Sequence, residues 1–352
     1  MKYHIVLTKE TAKRLKNEST PGIDVPRSDL KLLANRLDAS LIEQKSYKVK
    51  LVDKIFGKLA GNAENWSFAR HSTSQIDPDD VVFCPGEEIG IPFLTTFSSR
   101  KKRPKIVIWF HRITGLKTRI VLKLLRVAKF TDLAVTNTRP NQKFLHEYLN
   151  LPKDRVFFLR HSIDSDYFAS KTGEPKNKRP LIVSVGLEQR DYRPLAKATA
   201  DLDLDVKVVG FSQFSARKAQ TFPKVMPPNM TNKKYKLPEL LQLYQDADIA
   251  VISLKENNGA AGMTALLEAI SFKKPTICVK TTGLSEYLTD EKAIMTVKPG
   301  DAQELREAIL YLLDNPEEAK LRAERAYKIL QERHNLDSQV VLLEKFIRTL
   351  EE

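Results

Sequence analysis

Glu268 stands one helical turn after Thr264 in the stretch 247–288, ADIAVISLKENNGAAGMTALLEAISFKKPTICVKTTGLSEYL. The run Gly262-Met263-Thr264 opens that helix directly after a polar, glycine-containing loop. A helix start of this kind presents unpaired backbone N–H groups and the positive end of the helix dipole, so its chemistry is the holding of an anion. A phosphate group is therefore expected near Gly262, Met263 and Thr264. At about 100° per residue, Leu266, Leu267 and Ile270 share one side of the helix while Thr264 and Glu268 share the other. A carboxylate so placed can point into the opening left by the loop; the same periodicity also fits a solvated helical glutamate. A second candidate, His111-Arg112, follows the apolar run KIVIWF at 105–110. A histidine at the carboxyl end of a buried strand is placed to touch a ligand, and is equally accounted for by hydrogen bonds to the backbone.

The elements that must position these residues form a repeating pattern. Residues 249–254 read as a strand, 256–262 as a loop, 263–272 as a helix and 276–279 as a second strand, which is the β-loop-α-β crossover from which parallel sheets are made. Further strands are expected at 3–8, 79–84, 105–110, 132–137, 181–186 and 205–210, with RVFFLRHSIDSDYF (155–168) a strand leading into an Asp-rich turn. Helices are expected at 30–42, at LVDKIFGKLA (51–60), at RPNQKFLHEYL and at PELLQLYQDA. Two more helices break at Asn315-Pro316, and a final amphipathic helix starts at Asp337 or Ser338. TKETAKRLKNESTPGIDVPR (8–27) reads as a long connection with Pro21, Gly22 and Pro26, and the residues around Trp66 carry no assignment. The helix LKTRIVLKLLRVAKF places Ile120, Val121, Leu124, Leu125 and Ala128 on one side, with Lys117, Arg119, Lys123, Arg126 and Lys129 around the rest. Such a helix either lies on anionic lipid or packs on its own sheet; the second arrangement is the commoner and is the expectation here.

Both halves alternate strand and helix, so the fold class is α/β, with two Rossmann-like doubly wound domains facing a central cleft. The length of 352 residues allows each domain its own core. The polar run KTGEPKNKRP (171–180) reads as the interdomain linker. The expected domains are 1–170, 171–336, and a C-terminal helix 337–352 packing back toward the N-terminal domain. Of the formal charge of +14, residues 1–170 hold 30 Lys and Arg against 18 Asp and Glu, and the remainder 28 against 26. The first half thus suits an anionic membrane surface, a phosphorylated acceptor or nucleic acid, or is simply a soluble basic surface. With no recognisable nucleic-acid motif and scattered basic residues, nucleic acid is not expected as a partner. Cys84 and Cys278, far apart and without His neighbours, argue for a reducing, cytoplasmic setting and against a disulfide frame or zinc site. The N-terminal MKYHIVLTKETAKRLK reads as a first strand, not a signal peptide. No apolar run approaches the roughly 18 residues of a spanning helix.

GMTALLEAISFKKPTICVKTTGLSEYL resembles the nucleotide-sugar signature of the retaining GT-B glycosyltransferases. VTNTRPNQKFLHEYLNLPKDRVFFLRHSIDSDYF, LIVSVGLEQRDYRPLAKA and PELLQLYQDADIAVISL resemble other pieces of that class, in its order. The likeness covers roughly 130–352, and before residue 100 it is one of topology only. It implies a GT-B fold. It also implies that Glu268 binds the ribose hydroxyls of a donor nucleotide, that Gly262, Met263 and Thr264 bind its diphosphate, that Arg190 neutralises the leaving diphosphate, and that His111 contacts the transferred sugar. Ala260 stands where the family carries a Glu that touches the donor sugar, so either Asn257 and Asn258 make that contact or the sugar is read differently. Leu187 replaces a basic residue after Gly186, with Arg193 or Lys197 as substitutes. Pro21-Gly22 stands where a Gly-rich first loop is expected. No Asp-X-Asp pair follows an obvious strand at the donor loop, so neither a metal nor a cofactor beyond the donor substrate is expected. The implied activity is metal-independent, retaining transfer of a hexose from a UDP- or GDP-sugar to an unidentified glycan, lipid-linked or other acceptor, with contact to an anionic membrane through the basic N-terminal domain. The alternative is a non-catalytic GT-B-like protein that binds a nucleotide or glycan in an assembly.

Overall fold

The structure is a computed structural model that describes residues 1–113, 115–171, 179–211 and 221–351. The chain divides into two compact units, Met1–Arg160 with Asp337–Glu352, and His161–Leu336. Seven of the ten residues expected as a linker, 172–178, lie outside the described residues.

In the first unit the strands are β1 (Tyr3–Leu7), β2 (Ser40–Glu43), β3 (Val81–Cys84), β4 (Lys105–Phe110), β5 (Leu133–Thr136) and β6 (Val156–Phe158). Its helices are α1 (Lys9–Glu18), α2 (Asp29–Leu37), α3 (Leu51–Leu59), α4 (Ala63–Ser72), α5 (Glu87–Phe97), α6 (Leu116–Leu124), α7 (Val127–Phe130) and α8 (Arg139–Glu147). In the second unit α9 (Ser165–Ala169) precedes β7 (Leu181–Val185), α10 (Arg193–Thr199), β8 (Asp205–Val209), β9 (Met230–Asn232), α11 (Leu237–Asp246) and β10 (Ile249–Ile252). Then come α12 (Met263–Ser271), β11 (Thr276–Val279), β12 (Met295–Val297), α13 (Ala302–Asp314) and α14 (Pro316–Arg333), and α15 (Leu336–Arg348) ends the chain.

Each unit is built on one six-stranded sheet, in the orders β2-β1-β3-β4-β5-β6 and β12-β11-β10-β7-β8-β9. Every pairing between these strands is parallel. The order reverses between β1 and β3 and between β7 and β10, which is the doubly wound arrangement of a Rossmann-like sheet. Continuous apolar runs such as Val81–Cys84 and Ile249–Ile252 are wholly buried, as helices on both faces of a parallel sheet require. One device sets register in both units. Asp80, Asp132 and Asp248 each stand immediately before a strand, and their carboxylates accept the N–H of Lys2, Ile106 and Leu181 at the start of the neighbouring strand, at 2.7–2.8 Å. A one-residue slip would break these charge-assisted bonds and turn buried side chains outward.

Three sequence expectations need correction, and one unassigned stretch takes a form. The helix expected over 30–42 ends at Leu37, because Asp38 takes a left-handed conformation (φ 49°) and the chain then enters β2 beside β1. The expected connection 8–27 contains α1, whose first turn is capped by Thr8 and whose Ala12 and Leu15 are buried. The unassigned stretch around Trp66 is α4, with Trp66 buried and its indole N–H donated to Ala60 O at 2.7 Å. Of the side expected to face inward in LKTRIVLKLLRVAKF, Val121 is buried and Leu125 and Ala128 pack against the core, but Ile120 and Leu124 are exposed and Leu122 is buried in their place. Residues 337–351 pack within the first unit, where Phe346 stacks on Phe157 at 4.7 Å and Glu344 pairs with Arg36 at 2.6 Å. Among the described residues no helix is long and apolar enough to cross a membrane.

Candidate functional site

The β10–α12 connection is shaped by a residue that only glycine can fill. Gly262 has φ +94°, and a Cβ there would lie 3.0 Å from Ile252 Cγ2 and Leu254 Cδ1. The missing side chain lets the chain turn sharply over the end of β10 and enter α12. Met263, at the helix start, is buried and its N–H is donated to Ala260 O, whereas Thr264 is exposed. The following first-turn N–H groups, of Thr264 and Ala265, have no preceding helical carbonyl to bond and face the start of the helix. Thr264 Oγ1 lies 3.4 Å from His161 Nε2, so an imidazole flanks this helix start.

One turn further, Glu268 is half-buried and its Oε2 accepts the Tyr244 hydroxyl at 2.9 Å. Tyr244 comes from α11, is almost wholly buried, and lies stacked against Phe272 with ring centroids 5.4 Å apart. Burial pushes the Glu268 carboxyl up to about 7, against the opposing pull of the Tyr244 hydrogen bond and the Arg190 charge. A carboxylate kept short of solvent, with one donor already in place, is suited to accept hydroxyl donors from a ligand.

The loop before α12 is tied down within itself. Asn257 Nδ2 donates to Lys255 O at 2.9 Å and Asn257 Oδ1 accepts Gly259 N–H at 3.1 Å, so this side chain is engaged in shaping the loop. Asn258 is exposed. Gly283 N–H donates to Asn257 O at 2.9 Å, and a Cβ on Gly283 would collide with Gly259 O at 1.9 Å. Two loops at the carboxyl ends of β10 and β11 therefore touch backbone to backbone. Ala260 packs against the apolar core.

Arg190 does not project from its loop. It is 4% exposed, and its guanidinium donates to Val185 O from Nε at 3.0 Å and Nη2 at 2.6 Å, and to Glu188 O from Nη1 at 3.2 Å. It lies over Gly186, φ +109°, where a Cβ would meet Nη2 at 2.5 Å. In this structure the side chain clamps the β7–α10 turn, its guanidinium engaged by the Val185 and Glu188 carbonyls, while its charge still reaches Glu268. Arg193 is held in a bidentate pair with Asp191, at 2.7 and 2.6 Å, while Lys197 is exposed. Both line an open groove of about 760 Å³ between the starts of α10 and α13, which does not include Gly262, Thr264 or Glu268.

In the first unit, His111 closes β4. Its N–H and that of Arg112 both donate to the Glu87 carboxylate, at 2.8 and 2.9 Å, and its carbonyl accepts Asn141 Nδ2 at 2.8 Å. Ring Nε2 lies 2.9 Å from Pro85 O, a contact that requires it to carry the proton; in the neutral ring Nδ1 is then an acceptor. Glu87, Asn141, Tyr244 and His161 are the supporting residues that sequence reasoning missed. Tyr244 and His161 lie inside stretches already singled out, but neither spacing nor periodicity joins them to residues 24 and 103 positions away.

Residues 175–329 match the family described as glycosyl transferases group 1. No curated protein matches the chain. Among solved structures, a glycosyltransferase from Rickettsia africae is 16% identical with a TM-score of 0.67, covering 100% of this chain and 99% of its own. Sucrose-phosphate synthase from Thermosynechococcus elongatus is 13% identical with a TM-score of 0.71, over 100% and 99%. The Anabaena protein HepE, solved with UDP-glucose, is 12% identical with a TM-score of 0.67, over 98% and 99%. At such identities the likeness is one of fold, and the fold is GT-B. The chain thus has the GT-B fold, and residues 175–329, within its second unit, are similar to glycosyl transferases group 1.

Proposed function

We propose that the protein transfers a hexose from a nucleoside-diphosphate sugar, with UDP or GDP as the nucleotide, to a glycan, lipid-linked or other acceptor, with retention of anomeric configuration and without a metal ion. The observation that carries this reading is the pairing of a glycine-shaped helix start at Gly262–Thr264 with a half-buried carboxylate at Glu268 one turn on. The helix start suits the donor diphosphate, and Glu268, oriented by Tyr244, suits the ribose hydroxyls. Cleavage of the anomeric C–O bond leaves negative charge on the diphosphate, which first-turn N–H groups and the helix dipole stabilise without a nucleophilic side chain. Since Arg190 is turned inward, the proposed leaving-group donors are the Thr264 and Ala265 N–H groups, with His161 beside them. Asn258 is the candidate contact for the donor sugar on the second unit, Asn257 acting through the shape of the loop. His111 is the candidate sugar contact on the first unit. A cytoplasmic setting, with the basic first unit toward an anionic membrane, completes the reading.

A non-catalytic GT-B-like binding protein is the second reading, and it is favoured by Ala260, Leu187 and the inward Arg190. Melting curves with UDP, GDP and ADP test the binding site, since a ligand selective for the native state raises Tm. One of the three is expected to do so; a flat response to all three overturns the first reading and the nucleotide-binding form of the second. Donor hydrolysis or transfer over a panel of nucleotide sugars then separates the two, turnover supporting the enzyme and binding without turnover the alternative.

A further inference from the structure

Helix α6 carries its apolar residues on the wrong side for a crossover helix. Leu116, Ile120 and Leu124, at i, i+4 and i+8, form one ridge and are 77%, 61% and 65% exposed. The helix reaches its own unit through Val121 and Leu122 instead. Three large aliphatic side chains in a row facing water lose the free energy that burial would return, so the ridge calls for a cover. Its chemical surroundings specify which. Residues 111–131 carry six Lys and Arg and no Asp or Glu. Along one flank of the ridge, Lys123 Nζ lies 4.3 Å from the Tyr148 ring, and the Arg119 guanidinium lies 5.3 and 5.4 Å from the Phe144 and Tyr148 rings, contacts that hold both cations beside the apolar residues. Arg112, Arg126 and Lys129 are exposed around it.

We propose that α6 is a membrane-docking helix, whose Leu116-Ile120-Leu124 ridge enters the hydrocarbon boundary of an anionic bilayer while the surrounding cations meet lipid headgroups. Aliphatic ridge, flanking cations and absence of acids are together the signature of a helix lying in the interface plane. A second copy of the chain is a poor cover, since a two-fold contact through this face would set its cations against their own counterparts. The β4–α6 connection begins at His111. Docking of α6 therefore brings the candidate sugar contact to the lipid surface, and the acceptor class that fits is a lipid-borne one. This last step rests on the proposed reading of His111; the docking itself does not.

The test uses the full chain and sedimentation with vesicles of phosphatidylcholine alone or with phosphatidylglycerol added. Wild type is expected to pellet with the anionic vesicles and to be released by salt. The triple variant Leu116→Ser, Ile120→Ser, Leu124→Ser should lose at least about tenfold in partitioning. The pair Lys123→Gln, Arg126→Gln should bind less and depend less on salt. All altered side chains are solvent-facing, so both variants should melt as wild type does. Equal partitioning of wild type and triple variant overturns the proposal, as does equal binding to neutral vesicles. So does a wild-type dimer that the triple variant dissolves, which would make a second copy the cover. Titration of the same variants with UDP and GDP reads the donor site separately, so a failed donor reading leaves the vesicle result interpretable.

Discussion

Replacing Glu268 by Gln should move stability and nucleotide binding in opposite directions, and the two magnitudes follow from one carboxyl. Burial holds Glu268 at about 7 in the folded chain against an ordinary value of 4.5. The folded state therefore binds more protons than the unfolded state between those two values, so ionising Glu268 costs stability as the pH rises through that window, and the cost is constant above it. Each unit of displacement corresponds to about 1.4 kcal/mol, and allowing for solvent at this half-buried site the cost above neutrality is about 1–3 kcal/mol. Glu268→Gln keeps an acceptor for the Tyr244 hydroxyl and removes the charge. Ligand-free Glu268→Gln should then melt higher than wild type at about pH 8, by on the order of 5 °C, and the difference should vanish near about pH 4. Binding goes the other way. An ionised Glu268 accepts both ribose hydroxyls, so calorimetric titration should show wild-type nucleotide affinity falling about tenfold from about pH 8 to about pH 6. The variant should bind at least about tenfold more weakly at the upper pH, with a flat profile across the same range. A variant with wild-type melting and wild-type affinity at both pH values would refute the reasoning, for it would make Glu268 an ordinary solvated glutamate.

Three further substitutions address the same site from different sides. Tyr244→Phe removes the hydroxyl that favours the ionised form of Glu268, so the pH at which wild-type binding rises should move upward by a measurable fraction of a unit while the fold persists; an unmoved profile would show that Tyr244 does not orient the carboxylate. Gly262→Ala combines a left-handed backbone (φ +94°) with crowding against Ile252 and Leu254, and should destabilise by about 2 kcal/mol or more and depress nucleotide affinity; a wild-type melting curve would count against the turn geometry. Arg190→Ala should lower the melting temperature of the ligand-free chain, with a loss of about 3 kcal/mol, because it strips the Val185 and Glu188 carbonyls of their donors; unchanged melting with lost turnover would return Arg190 to a direct role at the diphosphate.

Much of the fold was legible because local rules and tertiary packing agree there. The strands 105–110 and 276–279 fall where their apolar runs end, and α13 and α14 break at Asn315-Pro316 as proline demands. The misses have two causes. β2, β9 and β12 are only three or four residues long and sit at or next to sheet edges, so they lack the length over which a period can be recognised. α1 was hidden because the Pro and Gly residues after it draw the eye to a loop, whereas its Thr8 cap and its Ala12-Leu15 face are sufficient to start and dock a helix.

At the site, the amino-acid sequence by itself determined what is local: the crossover around α12, the glycine at its start, and Thr264 and Glu268 one turn apart. Those follow from helical spacing and from the one residue type that tolerates the turn. Tertiary structure alone decided which way side chains point when sequence allows two answers. Arg190 folds back onto the β7 carbonyls, because an end-of-strand carbonyl left without a donor is costly and the guanidinium is the nearest group able to pair with it. Tyr244 meets Glu268 only because α11 and α12 pack together. On α6 the apolar residues cover more of the helix than one face can bury, so periodicity could not choose between Ile120-Leu124 and Val121-Leu122. Packing of Val121 and Leu122 into the first unit made that choice, and left a hydrophobic ridge facing away from the core.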